Sequence, residues 1–425
     1  MDIENRVAQK VVGAYFIALS VMMYYFLNED LYFGLSITYR HLFGLIIIFS
    51  GFVYFLIKPD IARASASLKS SLVLGLPLLV IFTDSLLVWF VEQSELHVIT
   101  RGLSYNFIYM NFFHAALAAA VLLYVFGEKG LWYNLVAILA ANILMIVTII
   151  AQNGIAAYFS ELTTLIMTFA DETGSVIMKA EIHELAFCLG AYIIYMLLYP
   201  KRSIFSLVLF ILAAFCFISA FKRIAMVGML GALAFAYIMK LLKARGREKL
   251  VMCIITFTML LLVLLLLAYV GTVKWGIFQK LEDIGIDTSG RNDIYHAVDG
   301  FYEFSPTFIG NGMGFLTFKL NSGLDINVSA VHNEFLNYFI DIGFWGFILW
   351  LLAFTIVRTK YFGREGFTDG AIVAAAIVLY IIIVSATDNT LNYHLFNTVA
   401  DMIIMGHGFD KRVEEEHRRI FGISG

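Results

Sequence analysis

LVMCIITFTMLLLVLLLLAYV, residues 250–270, runs for 21 residues without a charge. A helix rises about 1.5 Å per residue, so this stretch covers about 30 Å, the thickness of a bilayer's hydrocarbon core. Lys249 and Lys274 flank it. The rest of the chain has the same character, with 425 residues of which 61% are hydrophobic and 14% charged. A soluble fold of that size lacks the interior to hide so much apolar surface, so the solvent must be lipid. A net charge of −3 excludes a nucleic-acid partner held by charge. Cys188, Cys216 and Cys253 fall inside apolar runs with neither metal nor disulfide spacing, and read as packing residues.

Outward from 250–270, further apolar runs predict spans at 11–27, 41–57, 71–91, 105–126, 132–151, 184–199, 203–220, 224–241, 335–357, 371–386 and 395–409. The expected fold is an all-α polytopic membrane protein of about 12 transmembrane helices, a single helical domain over 1–425. No cleavable signal peptide is expected, since the first apolar run reads as the first span. The patch Leu162 to Phe169 is too short to cross and is expected at the interface. With the N-terminus inside, 20 of the 29 Lys and Arg fall on inner segments. The outer nine are Arg40, Arg101, Lys179, Lys222, Arg223, Lys274, Lys280, Arg291 and Lys319. That asymmetry puts both termini in the cytoplasm and the long segment 271–334, between spans nine and ten, outside.

Four outer features carry chemistry. Lys222-Arg223 sets two cations where the eighth span begins. A helix N-terminus offers unpaired N–H groups to an anion, and a guanidinium grips phosphate oxygens two at a time. The same pair also suits plain anchoring to lipid headgroups. Gly290-Arg291 lies in the polar stretch TSGRNDIY, where a glycine turn presents the arginine either to a ligand or to solvent. Gly310-Asn311-Gly312 permits close backbone approach, for a turn or for a ligand. His332-Asn333 stands where the tenth span begins, where the helix dipole favours neutral imidazole; a cap or a proton acceptor both fit. Asp84 and Asp401 are carboxylates inside spans, and Asp388, Asn389, Tyr393 and His394 crowd the last outer loop, as a sugar site or as an ordinary polar turn.

In this order and spacing, Gly290-Arg291, Gly310-Asn311-Gly312, His332-Asn333 with Leu336, and Gly343 to Gly346 resemble the bacterial O-antigen polymerase and O-antigen ligase family. Arg223 matches the family's earlier arginine, although Ala220-Phe221-Lys222 replaces the serine that usually precedes it. The resemblance covers about residues 215–350; the first 200 match only as a hydrophobic pattern.

What it implies is a glycosyltransferase of the bacterial plasma membrane, without metal or other cofactor. The donor would be an undecaprenyl-pyrophosphate-linked oligosaccharide, and a chain-length regulator and a flippase would work beside the enzyme. Arg223 and Arg291 would stabilise the pyrophosphate, with Lys222 assisting at the lipid phosphate. His332 would take the acceptor's proton, and Asn333, Gly290, Gly310 and Gly312 would line the substrate. The GRNDIY form of the loop resembles capsule and exopolysaccharide polymerases, which favours transfer to a lipid-linked repeat unit over ligation to lipid A core. A transporter or flippase of lipid-linked sugar, coupled through Asp84 and Asp401, is the reading from another class. The sequence shows neither the internal repeat nor the paired broken helices common in transporters.

Overall fold

A computed structural model describes residues 39–91, 109–168, 183–201, 203–285, 290–322, 331–364 and 367–422, with isolated positions ahead of residue 22. The expected first span, 11–27, lies almost wholly outside the described residues. Among them the chain is helical and without strands. The helices are α1 (Tyr39–Ile57), α2 (Ile61–Val91), α3 (Ala118–Phe126), α4 (Lys129–Asn153), α5 (Ile155–Thr168), α6 (His183–Leu198), α7 (Ile204–Ser219) and α8 (Arg223–Ala244). Then follow α9 (Glu248–Lys274), α10 (Ile277–Asp283), α11 (Arg291–Val298), α12 (Phe315–Ser322), α13 (Glu334–Leu352), α14 (Thr368–Ser385), α15 (His394–Gly406) and α16 (Phe409–Phe421). A π-helical turn, Tyr109–Leu117, leads into α3, and another, Ala353–Val357, carries α13 on to Phe362. Among the described residues, six helices are long and apolar enough to cross a membrane: α2, α4, α8, α9, α13 with its extension, and α14. Shorter apolar helices fill most of the remaining expected spans, and the protein is a polytopic all-α membrane protein.

Three elements differ from expectation. α2 begins at Ile61, ten residues before the expected span, because Asp60 Oδ1 accepts the Arg63 N–H (2.9 Å) and caps a run rich in alanine and leucine. The patch at Leu162 is the second half of α5, a 14-residue helix that lays Tyr158, Leu162 and Leu165 against its neighbours at helical spacing. α15 has 13 residues rather than the full expected span, and from Leu395 to Gly406 all but Asn397 are buried. A helix walled in by protein need not match the bilayer's thickness.

The chain forms two compact units. Unit 1 holds residues 1–72, 113–237 and 393–425. In it α15 packs on α6, α3 and α4, and α7 packs on α6 and α4. Unit 2 holds residues 73–112 and 238–392. Its inner helix is α14, buried over 83% of its most apolar stretch, whereas α9 is buried over only 28% and keeps a broad lipid-facing side. α9 packs on both α13 and α14. The segment 271–334 is not an open loop. Three short helices and a 3-10 turn, Asp299–Phe301, order most of it around the buried Val298, Tyr302, Met313 and Leu316.

Candidate functional site

The cluster on unit 2 starts from helix beginnings. Gly290 takes a left-handed conformation (φ 73°) and starts α11, so that Arg291 is its first residue. A β-carbon at Gly290 would meet nothing within 4 Å, so the turn is open on that side. Arg291 is half-buried and donates from Nη2 to the carbonyl of Thr387 (3.3 Å). Its neighbour Asn292 donates from Nδ2 to Gln279 and Glu282 of α10, each at 2.8 Å, which fixes α11 against α10.

Asn333 caps α13, its Oδ1 accepting the Leu336 N–H at 3.1 Å, a contact worth about 1 kcal/mol. Its Nδ2 reaches the hydroxyls of Tyr269 and Tyr295, each at 3.3 Å. With no exposed surface and these bonds made, Asn333 supports the site rather than lining it. Tyr295 is one turn along α11 from Arg291. Burial pushes its hydroxyl's pKa up, against the opposing pull of Asn333, Tyr269 and Arg291, so it stays a neutral phenol. Tyr269 donates to the carbonyl of Ala386 (3.2 Å).

His332, just outside the cap, is exposed and has φ 52°, a left-handed conformation that costs a non-glycine residue about 1–3 kcal/mol. Its Nδ1 lies 3.5 Å from the Asn389 amide. Arg291 and His332, 41 positions apart, therefore both reach the short loop after α14, at Thr387 and Asn389. Ring tautomer and amide orientation are linked there. If the amide N–H faces Nδ1, the neutral ring carries its proton on Nε2. If the amide oxygen faces Nδ1–H, Nε2 becomes the basic nitrogen.

The glycines of 310–346 lock the segment to α13. The helix breaks at Gly343 (φ 68°, ψ −171°). Into the break go Asn311 N–H, donating to the carbonyls of Ile340 and Asp341 (3.1 Å each), and Gly312 N–H, donating to Asp341 (2.7 Å). Phe344 N–H returns a bond to Phe308 (2.9 Å). A β-carbon on Gly310 would come within 2.5 Å of Gly343 N, and one on Gly312 within 2.5 Å of Trp89 Nε1. The close approach these glycines allow is thus to the protein itself. The buried Asp341 carboxylate takes the N–H groups of Gly314 (2.9 Å) and Leu316 (3.1 Å), and Ser85 takes that of Met313 (2.9 Å). Asp84 lies beside Gly346, whose β-carbon would meet its carboxylate at 2.8 Å.

On unit 1 the Lys222-Arg223 turn has the same plan as Gly290-Arg291 in a different material. Arg223 is the first residue of α8, and Phe221, buried and at φ 44°, makes the turn. Lys222 Nζ lies 5.8 Å from the centre of the Phe187 ring, which stacks on Tyr393 (6.1 Å, 26°). Glu184 Oε1 accepts the Leu395 N–H (2.9 Å), joining the start of α6 to the start of α15. His394 and Asp401 are both buried in α15.

Sequence reading singled out Arg223, Arg291 and His332 as candidates; around the last two the structure adds Asp341 and the two tyrosines, which that reading did not single out. The signal for Asp341, a carboxylate inside an apolar span, was the one already noted at Asp84. Nothing local marks Tyr269 or Tyr295. Thr288, Ser289 and Asp287 lie outside the described residues. No curated protein and no solved structure matches the chain. Residues 208–351, the segment carrying Arg223, Arg291 and His332, match the family model described as O-antigen ligase and are similar to it.

Proposed function

We propose that the protein is a polysaccharide polymerase. On this reading it transfers a glycan from a polyprenyl-diphosphate donor to a hydroxyl of a second lipid-linked repeat unit, on the membrane face where 271–334 lies. One observation supports it most: Arg291 and His332 meet the same loop, at Thr387 and Asn389, so a guanidinium suited to a diphosphate and an imidazole able to accept a proton share one cluster on unit 2.

The acceptor oxygen attacks the anomeric carbon while the bond from that carbon to the diphosphate oxygen breaks. The acceptor's proton passes to Nε2 of His332, which requires the Asn389 amide to offer its oxygen to Nδ1–H. Arg291 neutralises charge growing on the leaving diphosphate, an interaction that strengthens in the transition state. Arg223 takes a phosphate role from its place in the family pattern, and Lys222 stands beside it. Attack opposite the leaving group inverts the anomeric configuration.

Ligation to lipid A core remains the alternative within the same chemistry. A transporter is less consistent with α13. Broken helices in transporters commonly leave carbonyls for an ion, whereas here Asn311 and Gly312 occupy those of Ile340 and Asp341. The test mixes purified protein with a synthetic polyprenyl-diphosphate oligosaccharide, with and without EDTA. A ladder of products unaffected by EDTA is expected. Movement of unchanged donor across a vesicle would mean transport, and a ladder lost in EDTA and restored by magnesium would refute neutralisation by arginine alone.

A further inference from the structure

We propose that α10, with Trp275, is a membrane-surface anchor. Its apolar edge seats among phospholipids at the boundary of headgroups and acyl chains, and its polar edge holds the Arg291 helix at the depth of the lipid phosphates. The seating follows from the membrane span alone; the consequence for Arg291 rests on the diphosphate reading above.

α9 is the most apolar of the long helices, with a mean hydropathy of 3.1. At its end Lys274 turns inward, its Nζ bound to Asp299 Oδ1 (2.9 Å) and to the carbonyls of Asp299 (2.8 Å) and Tyr302 (3.1 Å). The next residue, Trp275, is 60% exposed and meets Phe304 edge-on. An indole at the end of a span belongs at headgroup level. Gly276, at φ 68°, turns the chain, and α10 begins at once. Ile277, Leu281 and Ile284 recur at i, i+4 and i+7 along one edge. Ile284 is 73% exposed, and Lys280 stands exposed beside the stripe, where its stem can follow the apolar edge and its charge can meet lipid phosphate.

The opposite edge belongs to the site. Phe278 packs on Tyr295 (4.8 Å), and Gln279 and Glu282 hold Asn292, next to Arg291. Continuity with a lipid-facing span, a tryptophan at the junction and a cation at the rim make phospholipid the occupant. A polyprenyl tail fixes the depth of its own diphosphate, so the depth of the cation that meets it has to match.

The test places single cysteines at 277, 279, 283 and 284 of the full chain, with Cys188, Cys216 and Cys253 replaced by alanine. Each is spin-labelled in phosphatidylethanolamine–phosphatidylglycerol vesicles, and collisions with oxygen and with a water-soluble nickel chelate report depth. Ile277→Cys and Ile284→Cys are expected to favour oxygen over nickel about threefold more than Gln279→Cys and Asp283→Cys. Water-like access at all four overturns the anchor. So does protection of 277 and 284 from both reagents, the signature of a second copy or another protein. A second arm compares Ile284→Asp with wild type on a long-chain polyprenyl donor in vesicles and on a short-chain soluble analogue. A loss of about tenfold on the membrane donor alone is expected; equal loss on both overturns the link to Arg291. Absence of product from wild type on either donor would refute the transferase reading while leaving the depth measurement to judge the anchor.

Discussion

The turns before Arg223 and Arg291 solve one geometric problem in two ways. Each puts an arginine at the first position of a helix, one residue after a left-handed Gly290 in one case and two residues after a left-handed Phe221 in the other. At Gly290 the conformation is cheap and the space beside it is open. At Phe221 a bulky side chain takes the same kind of conformation and is buried. There burial of the ring, worth about 2–3 kcal/mol, offsets the backbone strain of about 1–3 kcal/mol. The first turn is held by local conformational freedom, the second by packing, so the two arginines should respond alike in catalysis while their supports respond differently in stability.

Catalysis gives the largest expected effects. Arg223→Ala and Arg291→Ala should each lower product formation by about 100-fold or more with the protein still in the membrane, and lysine at either position should rescue only in part. Ladder formation by purified variants measures this. Full activity in both alanine variants would remove the phosphate role, and loss in only one would break the equivalence of the turns.

His332→Gln should cost about 100-fold and abolish the fall in rate at low pH. Asn389→Asp should move that acid limb to higher pH, because a carboxylate facing Nδ1 stabilises imidazolium and the base form then appears later. An acid limb that stays in place in an active His332→Gln variant would clear His332 of the role.

Stability separates the supports on a smaller scale. Phe221→Ala should destabilise by about 3 kcal/mol, through the lost ring and the cavity it leaves, and Gly290→Ala by about 1 kcal/mol, through backbone conformation alone. Thermal unfolding in detergent would rank them, and the reverse order would defeat the account of the two turns.

The smallest effect is a control for pH. Glu416 of α16 is held below the usual carboxylate range: burial alone would raise it, but hydrogen bonds from Lys69 and Ser65 and the charges of Lys69 and Arg419 outweigh that. A depressed carboxylate contributes stability that is present above its unfolded pKa and lost as pH falls through its folded one. Hydrogen exchange of α16 should therefore quicken in acid, and Glu416→Gln should abolish that change while leaving the acid limb of turnover where it was. A limb that moved with Glu416→Gln would belong to the α16 clamp and not to His332.

The fold was legible wherever an apolar run met lipid. The run 250–270 became the middle of α9 because a lipid-facing helix must be apolar on most sides. α15 was harder, since a short helix buried by its neighbours shows neither full span length nor a polar face. Among the candidate residues, Arg223 in unit 1 and Arg291 and His332 in unit 2 were visible because charge and glycine stand out in an apolar chain. Phe221, Tyr269 and Tyr295 were not, since a left-handed phenylalanine and a tyrosine bound to a cap look in sequence like ordinary core. The close approach that Gly310 and Gly312 permit is made to the broken backbone of α13 by the first and to the Trp89 ring by the second, and no local pattern in the sequence names either neighbour.

The loop that receives Arg291 and His332 follows both of them in the chain by a long way. Thr387 lies 96 residues beyond Arg291, and Asn389 lies 57 beyond His332. During synthesis the ribosome must therefore deliver α13 and α14 before either residue meets its partner. A nascent or prematurely terminated chain would carry the whole 271–334 segment, with every motif in it, and still lack the far wall of the cluster. On the proposed function, competence therefore requires translation past Asn389, and a stop codon anywhere before Thr387 should leave an inert membrane protein rather than a partly active one.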